Sequence, residues 1–146
     1  METVHLKVFR MSEDVKLPEK AFRSDACWDI FAAAEMVLPQ QQIVTVPTGL
    51  KVEIPVGWEL QIRPRSGLAS RYGINIVFGT VDSGYRNEIK VMVYNTSRKP
   101  FFINKGYKIA QISLEPVYDM KIVEVESEDL LGESERGLAG FGSTGI

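Results

Sequence analysis

The chain has 146 residues, of which 45% are apolar and 25% are charged, as expected for one globular domain with its own core. Its 17 Lys and Arg residues against 19 Asp and Glu residues give a net charge of −2, which excludes a strongly basic surface for nucleic acid or anionic membranes. A single cysteine, Cys27, and a single histidine, His5, exclude an internal disulfide and a structural zinc site.

The chain shows no segment near the ~18 uninterrupted apolar residues of a membrane span. Residues 1–16 also lack the apolar core of a targeting sequence. We therefore expect an intracellular protein, cytoplasmic or nuclear, that neither binds nucleic acid directly nor associates with a membrane.

Apolar and polar residues alternate along most of the chain, which predicts short strands rather than helices. The predicted strands are residues 3–10, 43–46, 50–54, 58–63, 74–78, 101–103, 108–114 and 117–125, with one more between Pro18 and Pro39. Residues 68–73 are expected to form one helical turn, whereas the alanines at 32–34 are too few to nucleate a helix. The prediction is an all-β, jelly-roll-like barrel or sandwich, with a β core over about residues 1–127 and a mobile, glycine-rich C-terminal arm over about 128–146.

The stretch GTVDSGYRNEIKV, residues 79–91, is predicted to form a β-hairpin with Asp82 and Tyr85 in its turn. Such a ribbon can hold a small planar ligand against backbone groups and place a carboxylate beside it. Asp and Gly favour turns for local reasons as well, so an ordinary hairpin with a solvated acid remains an alternative.

Two other segments carry groups that bind phosphates. In PRSGLA, residues 64–69, a guanidinium, a hydroxyl and the free amides at the start of a turn form an anion cradle. The arm adds Arg136, Ser143 and Thr144 together with Phe141, an aromatic ring among glycines that can close over a planar ligand. A disordered end is the alternative for the arm. Phosphates and carboxylates without nitrogen or sulfur ligands favour Mg²⁺, with Asp29 and Asp82 as the candidate acids.

These segments resemble, in the same order, the five motifs of the trimeric dUTPases. They are SDACWDIFAA at 24–33, PRSGLA at 64–69, GTVDSGYRNEI at 79–89, GYKIAQI at 106–112 and RGLAGFGSTG at 136–145. The resemblance implies a dUTPase fold, a homotrimer with shared active sites, and Mg²⁺-dependent attack of water at the α-phosphorus of dUTP. The products would be dUMP and pyrophosphate, which limits uracil in DNA and supplies dUMP for thymidylate synthesis.

The resemblance also assigns roles to residues. It implies that Asp82 is the general base, that Tyr85 lies against the deoxyribose and excludes a 2′-hydroxyl, and that Asp29 helps to hold Mg²⁺ through water. The remaining substrate-binding residues would be Gly79 and Lys90 at uracil, Arg65, Ser66, Gly67 and Gln111 at the phosphates, and Arg136, Phe141, Gly142, Ser143 and Thr144 from the arm.

The chain departs from the family pattern at Cys27, Asn87, Tyr107 and Ala139, none of which is a reacting group. Two other functions stay open beside the hydrolase. A dCTP deaminase is disfavoured by Gly67, where a serine is expected in the deaminases. A nucleotide-gated binding or signalling protein of the same fold is compatible with the sequence. A purely structural trimer gives no reason for Arg136 and Phe141 in a glycine-rich arm.

Overall fold

The computed structural model describes residues 2–146, which form a mostly β domain. The strands are β1 Lys7–Arg10, β2 Trp28–Phe31, β3 Met36–Leu38, β4 Ile43–Pro47, β5 Leu50–Glu53, β6 Trp58–Arg63, β7 Ile74–Ile76, β8 Gly79–Val81, β9 Lys90–Asn95, β10 Phe101–Ile103 and β11 Lys108–Pro116. One α-helix, α1, spans Ser66–Tyr72, and a short 3-10 helix spans Glu128–Leu131. Within this described part of the chain, no helix is long and apolar enough to cross a membrane.

The strands form four antiparallel sheets, which confirms the predicted all-β class. The sheets do not close into a barrel. The largest has the order β2-β11-β6-β8, and the second has the order β4-β9-β7. The pairs β1-β5 and β3-β10 complete the set. One continuous core of aliphatic side chains joins these sheets, and it includes Leu38, Val46, Leu60, Val91 and Ile103.

Strand β9 shows why the alternation predicted strands correctly. Val91 and Val93 are buried in the core, whereas Lys90, Met92 and Tyr94 between and beside them are exposed. Successive side chains of a strand point to opposite faces, so a half-buried strand must alternate in this way. The same pattern places β4, β5, β6 and β10 within a residue or two of their predicted bounds.

Three predicted elements outside residues 79–91 differ from the structure. The first strand is shorter, and the predicted helical turn is the seven-residue helix α1, which ends at Gly73 with φ 66°. The predicted strand at 117–125 was wrong. Val117 N donates to Gly57 O at 2.8 Å, and the chain then leaves the sheets. A strand needs a neighbour to pair with, and no segment of the described chain pairs with these residues.

Candidate functional site

Three separate segments bring a carboxylate and two cations together at one end of the largest sheet. Asp29 lies on β2, Arg65 precedes α1, and Lys108 begins β11. Asp29 Oδ1 lies 3.1 Å from Arg65 Nε, and Asp29 Oδ2 lies 3.0 Å from Lys108 Nζ. The Asp29 side chain is only 14% exposed, so both of its oxygens rely on these cations in place of water. We call Asp29, Arg65 and Lys108 the cation cluster.

A β-bulge in β11 makes this arrangement possible. Lys108 pairs with Phe31, but Ala110 pairs with Ile30, so β11 contains one extra residue there. In a strand of the same length without the bulge, Lys108 and Gln111, which are three positions apart, would point to opposite faces. With it, Gln111 pairs directly with Asp29, and Lys108 shares the same face. Gln111 Nε2 donates to Pro64 O at 2.8 Å, which fixes the chain just before Arg65.

The first turn of α1 adds backbone donors beside the cation cluster. Its first helical hydrogen bond runs from Ala69 N to Arg65 O at 3.2 Å, so the amides of Ser66 and Gly67 lie ahead of the helical ladder. A side chain added at Gly67 would meet no atom of the described chain within 4 Å. The glycine therefore leaves open space at a backbone that can donate to an anion.

The predicted hairpin at 79–91 was wrong in its pairing. The antiparallel pairing lies earlier in the chain, where β7 pairs with β9 and Val77 N donates to Met92 O at 2.9 Å. Beyond that point the two arms separate, because β8 pairs with β6 whereas β9 keeps β4 as its neighbour along its other side. The stretch from Phe78 to Val91 is therefore an opened loop that connects two sheets, and alternation alone could not show which strand each arm would choose.

The separation leaves backbone groups of Lys90 without a strand partner on one side. Peptide groups of consecutive residues in an antiparallel strand point alternately to the two sides. Met92 O accepts from Val77 N, so Lys90, two residues away, directs its own N–H and C=O to that same side. Gly79 lies across the opening, and a side chain there would come within 3.3 Å of Ile62. The opening thus presents the unpaired backbone groups of Lys90 opposite Gly79, which has no side chain.

Asp82 and Tyr85 lie in the turn of this loop, as predicted. Tyr85 N donates to Asp82 O at 3.0 Å, and the Tyr85 hydroxyl donates to Glu88 O at 2.7 Å. The Asp82 side chain is exposed, and Tyr85 is 41% exposed. Both side chains therefore face solvent from a turn held by its own hydrogen bonds.

Thr48 and Glu88 fasten this turn to the rest of the domain. The buried Thr48 hydroxyl donates to Ile89 O at 2.6 Å, and the Glu88 carboxylate accepts from Gly49 N at 2.9 Å. Ile89 N also donates to Leu50 O at 2.8 Å. The loop that carries Asp82 and Tyr85 is therefore anchored on the segment that joins β4 to β5.

Asp82 and the cation cluster lie at opposite ends of the same sheet. Gln111 pairs with Arg63, whereas Val81 of β8 pairs with Leu60, so Asp82 lies about four residues further along. This separates the two groups by roughly 13 Å along the strands and, from β2 to β8, by roughly 14 Å across them. Both lie on the polar face of the sheet, since Asp29, Arg63, Gln61 and Thr80 share that face by pairing and alternation. One chain therefore does not bring them to one reacting centre.

The arm residues lie apart from both groups. From Tyr118 to the end of the chain, no hydrogen bond or ion pair joins the arm to other parts of residues 2–146. Arg136 Nε donates to Ala139 O at 2.8 Å within the arm, and the Phe141 ring is fully exposed. Gly142, Ser143 and Thr144 are exposed as well. The structure does not bring these predicted residues to the remaining site residues within one chain.

The four departures from the family motifs cause no backbone strain. Neither Asn87 nor Ala139 has a positive φ, and the Asn87 side chain accepts from Glu88 N at 2.8 Å. The Tyr107 hydroxyl accepts from Asn104 Nδ2 at 3.0 Å. Cys27 is partly buried, with its sulfur 4.0 Å from Arg63 Nη1.

The donor set limits what metal the chain can hold. Residues 2–146 contain no group of three or more His, Cys, Asp or Glu side chains placed to ligate one ion. Asp29, with both oxygens paired, fits a Mg²⁺ that is carried by phosphate oxygens and water and that touches the protein through water.

The sequence reasoning missed Lys108, Thr48 and Glu88. The adjacent apolar pair Ile109 and Ala110, both buried, interrupts the alternation of β11 and is the signal that could have revealed the bulge and hence Lys108. Thr48 and Glu88 act through contacts 41 and 39 residues apart in the chain, which no local pattern shows.

Comparison with known proteins gives a consistent result. A family model described as dUTPase matches residues 13–145. The deoxyuridine 5′-triphosphate nucleotidohydrolase of Clostridioides difficile is 40% identical, with 97% of this chain and 99% of that protein covered. The protein of the same name from Clostridium tetani is 42% identical, with 96% of each covered.

Solved structures agree with the relatives. The dUTPase of Staphylococcus bacteriophage 80alpha with dUPNHPP has a TM-score of 0.90 at 28% identity and covers 99% of this chain and 100% of that chain. For that phage protein, the reported role is control of the transfer of virulence genes by a proto-oncogenic G protein-like mechanism. A mutant dUTPase from phage phi11 of S. aureus, described as showing the coordination of a structural Mg(II) ion, has a TM-score of 0.80 at 26% identity and covers 86% of this chain and 99% of that chain.

Proposed function

The chain belongs to the dUTPase family, and from this premise we propose that it hydrolyses dUTP to dUMP and pyrophosphate by Mg²⁺-dependent attack of water at the α-phosphorus. The observation that carries the proposal is the polar face of the largest sheet, which has the cation cluster at one end and Asp82 with Tyr85 at the other. In a cell this activity limits uracil in DNA and supplies dUMP for thymidylate synthesis.

Uracil would be bound in the opening between β8 and β9. The unpaired backbone groups of Lys90 suit a planar base that has both donors and acceptors on its edge, and Gly79 lies across the opening without a side chain. Cytosine would set an amino donor against a backbone donor. Leaving buried polar groups unpaired costs about 1–3 kcal/mol each, which is enough to discriminate between the two bases.

Water attack would be assisted by Asp82. The exposed carboxylate sits on a turn closed by the bond from Tyr85 N to Asp82 O, so it can accept a proton from water without leaving its position. A positioned general base of this kind contributes about 10²- to 10⁴-fold in rate. The Tyr85 ring, held by its hydroxyl on Glu88 O, would lie against the deoxyribose and leave no room for a ribose 2′-hydroxyl.

The phosphates would bind at the cation cluster. Arg65 and the amides of Ser66 and Gly67 supply donors at the start of α1, and the Gln111 amide supplies one from β11. Asp29 would hold the phosphate-borne Mg²⁺ through water. When bound, Mg²⁺ neutralises charge on the phosphate oxygens during attack.

A homotrimer with shared sites would unite the two ends of the sheet. Asp82 lies too far from Arg65 of its own chain, so Asp82 of one subunit would meet Arg65 of another. The single chain also exposes apolar surface that a partner can cover. Val117, Met120 and Ile122 are at least half exposed, and an apolar groove of about 490 Å³ lies beside Trp28 and Leu114.

The arm would complete the site from a neighbouring subunit. Arg136, Ser143 and Thr144 would close on the γ-phosphate, with Gly142 among them, and Phe141 would stack over uracil. The support is that the arm makes no hydrogen bond to the domain described here and that the Phe141 ring has no cover. We propose that residues 128–146 are mobile without ligand and ordered with it.

Pyrophosphate release from dUTP, dCTP, dTTP and UTP, with and without Mg²⁺, tests the proposal directly. We expect rapid release from dUTP only, and only with Mg²⁺. Asp82→Asn should lower kcat by at least about 10²-fold while the binding of a non-hydrolysable dUTP analogue, measured by calorimetry, stays within a few-fold of wild type. Full activity of this variant would contradict the role of Asp82. Ammonia release from dCTP would instead indicate a deaminase.

A nucleotide-gated signalling role is a second candidate, favoured by the likeness to the phage 80alpha structure and its description. It requires a protein partner that the nucleotide displaces. A pull-down with the tagged chain, repeated with the dUTP analogue, should then show one partner lost on adding nucleotide. If nucleotide changes no bound protein, this role is contradicted.

A further inference from the structure

We propose that Asp29 and Lys108 are positioning residues for Arg65, and that they set how the guanidinium meets the triphosphate whether or not Mg²⁺ is present. The inference rests on the proposed dUTP hydrolysis. It concerns which protein groups make the phosphate site rigid.

The hydrogen bonds of Arg65 show how it is held. Its Nε is bound by Asp29 Oδ1 at 3.1 Å, and its Nη1 donates to Lys108 O at 3.4 Å. The structure records no acceptor for Nη2 within residues 2–146. Asp29 thus holds the inner edge of the fork and leaves an outer nitrogen for a phosphate oxygen. A guanidinium held in this way loses less freedom when it binds than a mobile one does.

Lys108 gives Asp29 a second partner. Its Nζ lies 3.0 Å from Asp29 Oδ2, on the oxygen that Arg65 does not use. A carboxylate that is 14% exposed needs a partner for each oxygen, because removing one partner of a buried pair leaves an uncompensated charge. When Arg65 turns part of its charge to phosphate, Lys108 keeps the carboxylate in place.

The direction in which triphosphate affinity changes when Asp29 is replaced separates this inference from the alternatives. Asp29 is a negative charge beside a site for a polyanion, so by charge alone its removal should tighten triphosphate binding. If Asp29 only held Mg²⁺, its removal would have no unfavourable effect on binding without the metal. If it positions Arg65, its removal weakens binding in both conditions.

We therefore expect Asp29→Asn to weaken binding of the non-hydrolysable analogue dUPNHPP about tenfold in EDTA, measured by calorimetry. Deoxyuridine, which has no phosphate, should bind the variant as it binds wild type. Tighter or unchanged analogue binding in EDTA would overturn the inference. Wild type is assayed first for pyrophosphate release from dUTP, and a wild type without that activity would contradict the proposed function instead.

A double-mutant cycle tests Lys108. Lys108→Met should weaken analogue binding in the wild-type background and have almost no further effect in Asp29→Asn, since it acts through that carboxylate. Additive losses would show that Lys108 contacts phosphate directly and would overturn its positioning role. Lys108→Arg should restore most of the affinity.

Lys105→Met is the matched control for the lysine variants. Lys105 also pairs with an acid, Asp14, and is similarly exposed, but it lies outside the phosphate site. The affinity of the Lys105→Met variant for the analogue should equal that of wild type. If thermal unfolding shows that Asp29→Asn is not folded, a double-mutant cycle of Lys108→Met with Arg65→Lys replaces the cycle that uses Asp29→Asn. That cycle should again be non-additive, and additivity would overturn the inference.

Discussion

At the scale of single residues, the turn that carries Asp82 depends on polar groups that tie it to the segment between β4 and β5. Thr48 is only 1% exposed, and its hydroxyl donates to Ile89 O and accepts from Leu50 N at 3.3 Å. Glu88 holds the neighbouring amide of Gly49. A buried hydroxyl with both partners satisfied fixes the loop, because its loss leaves carbonyl and amide groups without water to replace it.

Thr48→Val should therefore loosen the loop while keeping the shape of the side chain. We expect the free energy of unfolding to fall by about 1–3 kcal/mol, measured by urea denaturation, and the KM for dUTP to rise. Thr45→Val, an exposed threonine on β4, is the matched control and should change neither value. Equal stability of the Thr48 and Thr45 variants would contradict the anchoring role.

At the scale of elements, helix α1 contains a glycine that lowers the stability of the helix but serves the proposed phosphate site. Gly67 lies in the first turn, with open space around it and no positive φ. A glycine inside a helix costs about 0.5–1 kcal/mol relative to alanine. The chain keeps this cost at the place where phosphate would approach the backbone most closely.

Gly67→Ala should raise the free energy of unfolding by up to about 1 kcal/mol and weaken binding of the triphosphate analogue. Gly73→Ala, at the other end of α1, should lower stability instead. There φ is 66° and an added Cβ would lie 2.9 Å from Thr96 Oγ1, so stability should fall with little direct effect on phosphate binding. Thermal unfolding and calorimetry on the pair measure both effects. If stability and analogue binding changed in the same direction in both variants, the assignment of Gly67 to the phosphate site would be contradicted.

Much of the element scale could be predicted from the sequence, for a physical reason. The burial of one face forces alternation, so β4, β6 and β9 were visible in the spacing of their valines, leucines and isoleucines. Pairing was not visible, because β8 and β9 each choose a partner from elsewhere in the chain. Residues 117–125 alternate as well but have no strand beside them, so alternation indicates a capacity to pair and not a partner.

The candidate site was predictable where its chemistry is local. Arg65, Ser66 and Gly67 form one turn, and Asp82 and Tyr85 form another, so short segments suffice to identify them. The pairing of Asp29 with Lys108 depends on a bulge between two strands far apart in sequence. Contacts of this kind arise from the fold and leave little trace in a single sequence.

At the scale of the whole molecule, one chain holds all the groups of the proposed reaction but keeps them apart. The cation cluster and Asp82 lie at opposite ends of the largest sheet, and the arm lies away from both. The proposed sharing of sites between subunits would resolve this separation without any change within the chain.

Mixed trimers test this sharing. Asp82→Asn and Arg65→Met should each be inactive alone, because each removes a group from every site. When the two are unfolded together and refolded as a mixture, about a quarter of the sites should contain both wild-type groups if these come from different subunits in a closed ring. Pyrophosphate release from dUTP measures the recovery, and each variant refolded alone is the control. No recovery would place both groups in one subunit.

The extra residue in β11 has a consequence for changes of chain length. Substitutions at Ile109 or Ala110 alter packing, but they leave Lys108 and Gln111 on the face that holds Asp29. A deletion of either residue removes the bulge and leaves Lys108 and Gln111 two positions apart in a regular strand, so both stay on that face. An insertion there would instead turn Lys108 to the opposite face. Variant libraries of this chain should thus tolerate several exchanges at these two positions, and a single deletion better than an insertion, so that the number of residues there limits the site more than their identity does.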